Sequence, residues 1–488
     1  MIVTRFPPEP NGYLHLGHLK SIYLNFNYPK DNGGGICLLR FDDTNPETEK
    51  QIFVDKIKET INWLGYEPHK ISYTSDYFHK LYNYSLKLIN TGLAYVDELT
   101  TEEMAILRKE NKKSPYRDRT ISENLKLFDE MKNGNFKENT KCLRLKIDDN
   151  TTSCMNDPIA YRIKYTPHYK TKDEWCIYPS YDFSHCIVDS LENITHSFCT
   201  MEFFVRRKLY YWILEKLELK APEVTEFNRL ETDFGILSKR KIKSLIEDKI
   251  VVDWEDPLLI TLNGLKNKGY SPDILKEFCK KLHYTTNSGG YIEKSLLDHI
   301  TRSSLSDSAE RCFGVLNPLK IIIENISSDE EIALDRPLYP QDPSSELSKI
   351  FLKKNIYIEK DDFKLEANKK FFRLTSKQSV RLKYGGIITY VSHEIDSNGN
   401  FKHITVNYTS EQKKVKGTIH WTSNDTPKKV YLFDYDDMKK HSYDSYVDDT
   451  NNEYLQFERL GYYKKINNNT YHHLCSLKED KNKHSTKN

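Results

Sequence analysis

The chain has 488 residues, 38% of them hydrophobic and 30% charged, enough for about three or four soluble domains with buried cores. Its formal net charge is only +2, so any nucleic-acid surface must be a patch and not a property of the whole chain. Nine cysteines without a C-x-x-C argue against a disulfide framework and zinc-ribbon spacings, and the absence of a run of about 18 apolar residues or a signal-peptide core points to a cytoplasmic protein.

In chain order, "MIVTRF" reads as a short strand running into the loop "PPEPNG". Leu16, Leu19, Ile22, Tyr23 and Phe26 then recur near helical spacing. "GGICLLRFDD" is a glycine-led apolar run of strand length ending in two acids, and "EKQIFVDKIKETINWLGY" is an amphipathic helix stopped by Gly65. Strand, helix, strand, helix implies a parallel α/β sheet, whose ligands sit at the carboxyl ends of the strands. "PPEPNGYLHLGH" and "DDTNPE" both fall there.

From about Tyr73 to Trp175 helices alternate with short strands, which reads as an insertion. The α/β pattern resumes at "EWCIYPSYDFSHCIVDSLENITHSFC" and passes through the helix "RRKLYYWILEKL". Residues from about 240 to 310 read as helical. After Pro318 come alternating strands such as "IYIEKDDF", "VRLKYG", "IITYVSHEI" and "HITVNYT", separated by turns such as "DSNGN", the pattern of antiparallel barrels. The last stretch, "KEDKNKHSTKN", reads as a polar tail. Cys176, His185, Cys186, His196 and Cys199 are irregularly spaced and read as ordinary buried residues, so no metal site is expected.

His15 and His18 lie three residues apart on the first turn of a predicted helix, with Gly17 between them. The glycine leaves room for a flat group near the backbone, and the helix N-terminus should add free amide donors suited to phosphate. Two imidazoles there can donate to phosphate oxygens as charge develops at phosphorus. A zinc pair would prefer i,i+4 spacing and a third ligand. Far downstream, Ser238-Lys239-Arg240 places a mobile ammonium before another helical stretch. Alone such a basic run is most simply a solvated face, and Asp42-Asp43 alone is most simply a turn or helix cap.

Taken together, H-x-G-H after a first strand and a distant Ser-Lys loop, Ile236-Leu237-Ser238-Lys239-Arg240, resemble the class I aminoacyl-tRNA synthetases. The loop departs from the family's K-M-S-K-S but keeps its central Ser-Lys. "RFPPEPNGYLHLGH", "LRFDDTNPE", "SPYRDR", "YPSYDFSHCIVDSLENITHS", "WEDPLLITLNGLKNKGY" and "LQFERLGYY" narrow the resemblance to the glutaminyl-tRNA synthetases, within the glutaminyl/glutamyl subgroup. It runs from Arg5 to about Tyr463.

This resemblance implies a multidomain α/β plus β fold. A Rossmann-type parallel-sheet catalytic domain (1–73 and 176–240) carries an inserted acceptor-stem-binding domain (74–175). A helical connecting region (241–310), two C-terminal antiparallel β-barrels for the anticodon (311–478) and a tail (479–488) follow. It implies a reaction: glutamine and ATP, with Mg²⁺ as part of the substrate complex and no tightly bound cofactor, give glutaminyl-adenylate, and the acyl group passes to tRNA(Gln). A monomer without a membrane partner is expected. His15, His18 and Lys239 would be catalytic. Glu9, Pro10, Asn11, Gly17, Arg229, Leu230, Leu237 and Ser238 would join them in holding ATP. Arg5, Asp42, Tyr181 and Cys199 would take glutamine. Arg311, Gln341, Arg373, Arg381, Gln456 and Arg459 fall on anticodon positions, where splayed bases suit Arg and Gln.

Two departures bear on specificity. Val205 stands where bacterial relatives usually carry an Asp that reads the acceptor stem, and Val224 stands where a Gln commonly lines the glutamine pocket. Cys199 points the other way, because glutamyl relatives tend to have Arg there. A pocket without that cation favours a neutral side chain, so glutamine is expected over glutamate. A silent RNA-binding relative is the reading of another class, and intact His15, His18 and Lys239 speak against it.

Overall fold

Val3, Phe6, Leu38 and Leu39 are buried along the first two strands, where the apolar runs predict them. Strand β1 (Ile2–Phe6) pairs in parallel with β2 (Gly35–Phe41), and β2 with β3 (Lys70–Tyr73). Helices α1 (Leu16–Asp31) and α2 (Gln51–Trp63) make the two crossovers. Leu16, Leu19, Ile22 and Phe26 of α1 share one core with Leu39 and Phe41 of β2 and with Val54, Ile57 and Ile61 of α2. A second parallel pair, His196–Thr200 with Glu223–Phe227, lies on the far side of β1. Thr195 N–H donates to Val3 O at 2.9 Å and Val3 N–H to Thr195 Oγ1 at 2.8 Å, joining the two sheets into one parallel layer. The computed structural model describes residues 1–110, 112–149, 152–282, 291–411 and 413–478, so the expected tail at 479–488 and positions 283–290 of the helical stretch lie outside the described residues.

Between β3 and the helix Tyr181–Leu191 the described residues form three α-helices (Phe78–Asn90, Thr101–Lys109, Ile121–Lys132) and a four-stranded antiparallel sheet. Its strands are Ala94–Asp97, Cys142–Leu145, Ile159–Ile163 and Ile177–Pro179. The last strand lies beyond Trp175, the limit read from sequence, because its backbone completes the edge of the inserted sheet before the helix Tyr181–Leu191 begins. Tyr82, Phe128, Tyr161 and Trp175 of the insertion share a core with Phe183, Leu209 and Ile213, so insertion and parent pack as one body.

Helices Lys239–Glu247, Leu262–Lys268, Pro272–Lys281 and Lys294–Leu305 lead to two nearly closed sheets. Six strands between Pro318 and Ile419 form the first, and Tyr357 and Thr422 close its seam with reciprocal N–H···O bonds of 2.7 and 3.0 Å. The second has seven strands, and one continuous stretch, Glu310–Cys312 and Gly314–Val315, supplies both of its edges. The other five strands lie between Pro427 and Ser476, so the six-stranded barrel is inserted within the seven-stranded one. A Cβ at Gly314 would lie 2.5 Å from the Phe457 ring, which is why this edge needs glycine. The barrels are rich in antiparallel pairs but not purely so. Glu310–Cys312 with Tyr454–Phe457, Pro318–Ile323 with Phe401–Thr409, Val380–Leu382 with Thr418–Ile419 and Pro427–Asp434 with Thr470–Ser476 run parallel. Hairpins are always antiparallel, whereas strands joined by a longer connection can pair either way, and hairpin signals are all the sequence displays. Among the described residues no helix is long and apolar enough to cross a membrane.

Candidate active site

A cavity of about 760 Å³ opens at the carboxyl ends of β1, β2, His196–Thr200 and Glu223–Phe227. At one end of it stands the start of α1. His15 is the N-cap, with extended backbone, and its Nδ1 accepts the Gly17 N–H at 3.1 Å. His15 N–H in turn donates to His18 Nδ1 at 3.1 Å, and His18 N–H to His15 O at 2.8 Å. With Nδ1 of each ring accepting, each neutral imidazole carries its proton on Nε2 and can donate it to a ligand. Burial lowers His15 to about 3 and takes His18 well below its ordinary value, so both rings are neutral at physiological pH.

This arrangement corrects two expectations. The first amides of α1 are not free for phosphate. Leu16 N–H is spent on Ile260 O at 2.9 Å, and Gly17 and His18 N–H on His15 itself. Nor does Gly17 clear space for a ligand alone, because a Cβ there would lie 2.8 Å from His15 Cε1. The glycine is there for the imidazole.

Lys239 opens the helix that Ser238 caps, and its Nζ crosses to the first loop to donate to Asn11 Oδ1. Its stem passes Gly12, where a Cβ would be 3.2 Å from Lys239 Cδ. Burial lowers its ammonium to about 8, against the pull of Glu9. Glu9, Asn11, Gly17, Arg229, Leu237 and Ser238 line the cavity with the histidines. Pro10 and Leu230 do not. Pro10 is buried with its carbonyl accepting Lys50 N–H at 3.1 Å, and Leu230, 2% exposed, belongs to the hydrophobic core.

At the other end the sequence identified Arg5, Asp42, Tyr181 and Cys199, and all four line the cavity. Asp42 Oδ1 accepts from Arg40 Nε at 3.1 Å and Thr74 Oγ1 at 2.9 Å, while its buried Oδ2 has no hydrogen-bond partner among the described residues. Burial lifts this carboxyl, and Arg40 and Arg5 pull against the rise. Arg5 has its donors engaged elsewhere, on Asp189 Oδ1 (2.8 Å), Phe198 O (3.0 Å) and Ser197 Oγ (2.8 Å). The Tyr181 ring stacks on His185 with centroids 4.8 Å apart. Cys199 is a neutral thiol, pushed up to about 12 by burial.

Beneath these residues lies a charge network that motif reading missed. Asp189 is fully buried between Arg5 and Arg40, each 2.8 Å away, and also accepts from Ser197 Oγ and Tyr210 Oη. Burial alone would raise its carboxyl, but the two guanidiniums hold it well below the usual carboxylate range. The spacing of Tyr181, His185 and Asp189, four residues apart twice over on one helix face, is the signal that could have found it. The reading also missed Arg207 and Glu226, discussed below.

The barrel residues lie apart from this cavity. Arg311 and Gln456 are register partners on adjacent strands, and their buried Nη1 and Oε1 have no hydrogen-bond partner among the described residues. Arg373 Nε (3.0 Å) and both Nη of Arg459 meet the buried Asp362, and Arg459 Nε donates to His420 Nδ1 at 2.9 Å. Arg381 donates to Lys413 O at 2.8 Å and Gln341 to Ser306 O at 2.6 Å.

A parallel sheet crowned by paired imidazoles and a lysine from a distant loop, joined to two barrels, agrees with what comparison with known proteins finds. Residues 1–307 match the family described as tRNA synthetases class I (E and Q), catalytic domain, and residues 309–409 the anti-codon binding domain of the same group. The chain belongs to the class I aminoacyl-tRNA synthetases of the E and Q group. A probable glutamine–tRNA ligase of Dictyostelium discoideum is 42% identical, covering 100% of this chain and 67% of that protein. The glutamine–tRNA ligase of Aliivibrio fischeri is 45% identical (88% and 81% covered), and the cytoplasmic glutamine–tRNA ligase of Arabidopsis thaliana 44% (87% and 54%). A solved glutamate-tRNA synthetase from Elizabethkingia anophelis aligns with a TM-score of 0.47 at 20% identity, over 62% of this chain and 70% of that one.

Proposed function

We propose that this chain joins glutamine to tRNA(Gln) in two steps at this cavity, through a glutaminyl-adenylate. The observation that carries the reading is the pairing of opposite ends. A buried carboxylate oxygen without a partner, Asp42 Oδ2, faces an amino-acid ammonium, and two Nε2–H donors with the Lys239 ammonium face phosphate.

In the first step a carboxylate oxygen of glutamine attacks the α-phosphorus of ATP, and the bond from that phosphorus to the bridging oxygen breaks to release pyrophosphate. Mg²⁺ enters with the nucleotide as part of the substrate. The chain supplies no nucleophile. Asp42 and Tyr181 orient the amino acid, Arg229 and the Ser238 loop hold the nucleotide, and His15, His18 and Lys239 meet the negative charge that builds on the phosphates. In the second step a ribose hydroxyl at the tRNA's 3′ end attacks the acyl carbon and AMP leaves. Arg311, Gln341, Arg373, Arg381, Gln456 and Arg459 would hold the anticodon on the two barrels. The partnerless Nη1 of Arg311 and Oε1 of Gln456 support that role, since a base edge can supply both missing partners. A cytoplasmic location accords with the similarity to the cytoplasmic glutamine–tRNA ligase of Arabidopsis thaliana.

The test is charging of total tRNA with labelled glutamine or glutamate, followed by identification of the charged species. Glutaminyl-tRNA(Gln) is the expected product, and charging by glutamate alone would overturn the reading. Glutamate draws on one observation, a guanidinium in the amino-acid end of the site. Glu226 answers it.

A further inference from the structure

We propose that Glu226 sets the preference for an amide over a carboxylate by masking the guanidinium of Arg207. The inference rests on the glutamine reading of this site and adds the residue that enforces it.

A side pocket of about 30 Å³ opens off the main cavity and shares Tyr181, Cys199, Phe203 and Arg206 with it. Arg207, Val224 and Glu226 are among its other lining residues, with Asp182 a second acid. Cys199 brings no cation to this end, but Arg207 does, so the sequence argument from residue 199 alone is incomplete. Arg207 opens the helix Arg207–Leu217 and grips Glu226 with two prongs. Its Nε donates to Oε1 at 2.9 Å and its Nη2 to Oε2, with a further bond from Nη2 to Val224 O at 3.1 Å. The Glu226 side chain is 3% exposed and that of Arg207 38%. Glu226 reaches this position because it is the register partner of Cys199 across the parallel strand pair.

The other guanidiniums at this end are matched in the same way. Arg206 lies 2.6 Å from Asp182, and Arg5 2.8 Å from Asp189. A second carboxylate entering the side pocket would meet a cation already satisfied and an acid beside it, while losing its water. A neutral amide meets only hydrogen-bond partners. Removing the charge of Glu226 would free the two-pronged face of Arg207, the geometry that binds carboxylates best.

The experiment measures kcat/KM for glutamine and for glutamate in pyrophosphate exchange, with tRNA present, for the unmodified protein, Glu226→Gln, Arg207→Gln and the double variant. Glu226→Gln should lower the glutamine-to-glutamate ratio by at least about tenfold through a rise in the glutamate value. The double variant should restore the ratio, and Arg207→Gln should hold or raise it. An unchanged ratio in Glu226→Gln, or a parallel fall for both amino acids, overturns the inference. Should Glu226→Gln not fold, a lowered ratio in Arg207→Gln or in the double variant overturns it equally, and a ratio held in both supports it. Failure of the glutamine reading looks different, because the unmodified protein would then prefer glutamate before any substitution.

Discussion

In the proposed mechanism Lys239 and the histidines divide the work at the phosphate end by charge state. Lys239→Ala should lower kcat for adenylate formation by roughly 10²–10³-fold, the scale of one lost charge-stabilising donor, with tRNA binding intact in a filter assay. The pH profile carries a sharper signature. The Lys239 ammonium is lowered by burial to about 8, so kcat/KM for ATP should be flat through neutrality and fall as pH rises through about 8 and the ammonium loses its proton. His15, lowered to about 3, is neutral across this range and adds no inflection near 6.5. An activity that instead falls as pH rises through 6–7 would mean that a charged imidazole does the work. Asp189 answers to stability. Its loss takes from the buried Arg5 its carboxylate partner, while Arg40 keeps Asp42 and Glu192, so Asp189→Asn should cost about 3–5 kcal/mol in urea unfolding. That His15, His18, Lys239 and Asp42 line one cavity was legible, the histidines from their own spacing and Lys239 and Asp42 through the family resemblance alone. Arg207 was not, since a basic residue on an amphipathic helix looks like any solvated charge until its partner on another strand is known.

At the scale of elements, the start of α1 unites a helix cap with the catalytic role proposed for the same side chain. Histidine is not among the favoured N-caps, yet His15 Nδ1 performs that task. His15→Ala should therefore cost about 1 kcal/mol of stability besides activity, whereas His15→Asn should regain most of the stability and none of the rate. Equal stability of both variants in thermal melts would deny the cap. The same turn is clasped from outside: Leu16 N–H donates to Ile260 O at 2.9 Å and Leu262 N–H to Leu14 O at 2.8 Å. Gly264 lies just beyond, and a Cβ there would sit 2.6 Å from Asp256 O and 2.7 Å from Leu259 O. Gly264→Ala should loosen the clasp and raise KM for ATP far from any substrate contact. A KM left as in the parent, in a variant that folds, would separate the clasp from the site. The strand-loop-helix order of this region was readable from apolar spacing. The clasp was not, because it joins segments some 250 residues apart through backbone groups that every sequence possesses.

For the whole molecule, the proposed function gives the two barrels to the tRNA. Arg311→Ala and Arg381→Ala should each weaken charging of the cognate tRNA by about 1–3 kcal/mol and lose less on a tRNA whose anticodon is already altered. Equal losses on both tRNAs would mean that these side chains hold backbone and read no base. The barrels' presence was legible from their turns, but not their nesting, because the edge strand 310–315 is too short to declare its partners. That nesting has a consequence for the nascent chain. Glu310 accepts from Thr450 Oγ1, which lies 140 residues later. At ribosomal speeds the edge waits roughly 7–28 s for its neighbours, while the barrel inserted within it can already close. During that interval an unpaired strand is exposed to every other polypeptide in reach. Its brevity, five residues in two pieces parted at Phe313, gives a wandering partner little backbone to grip before the rightful one emerges.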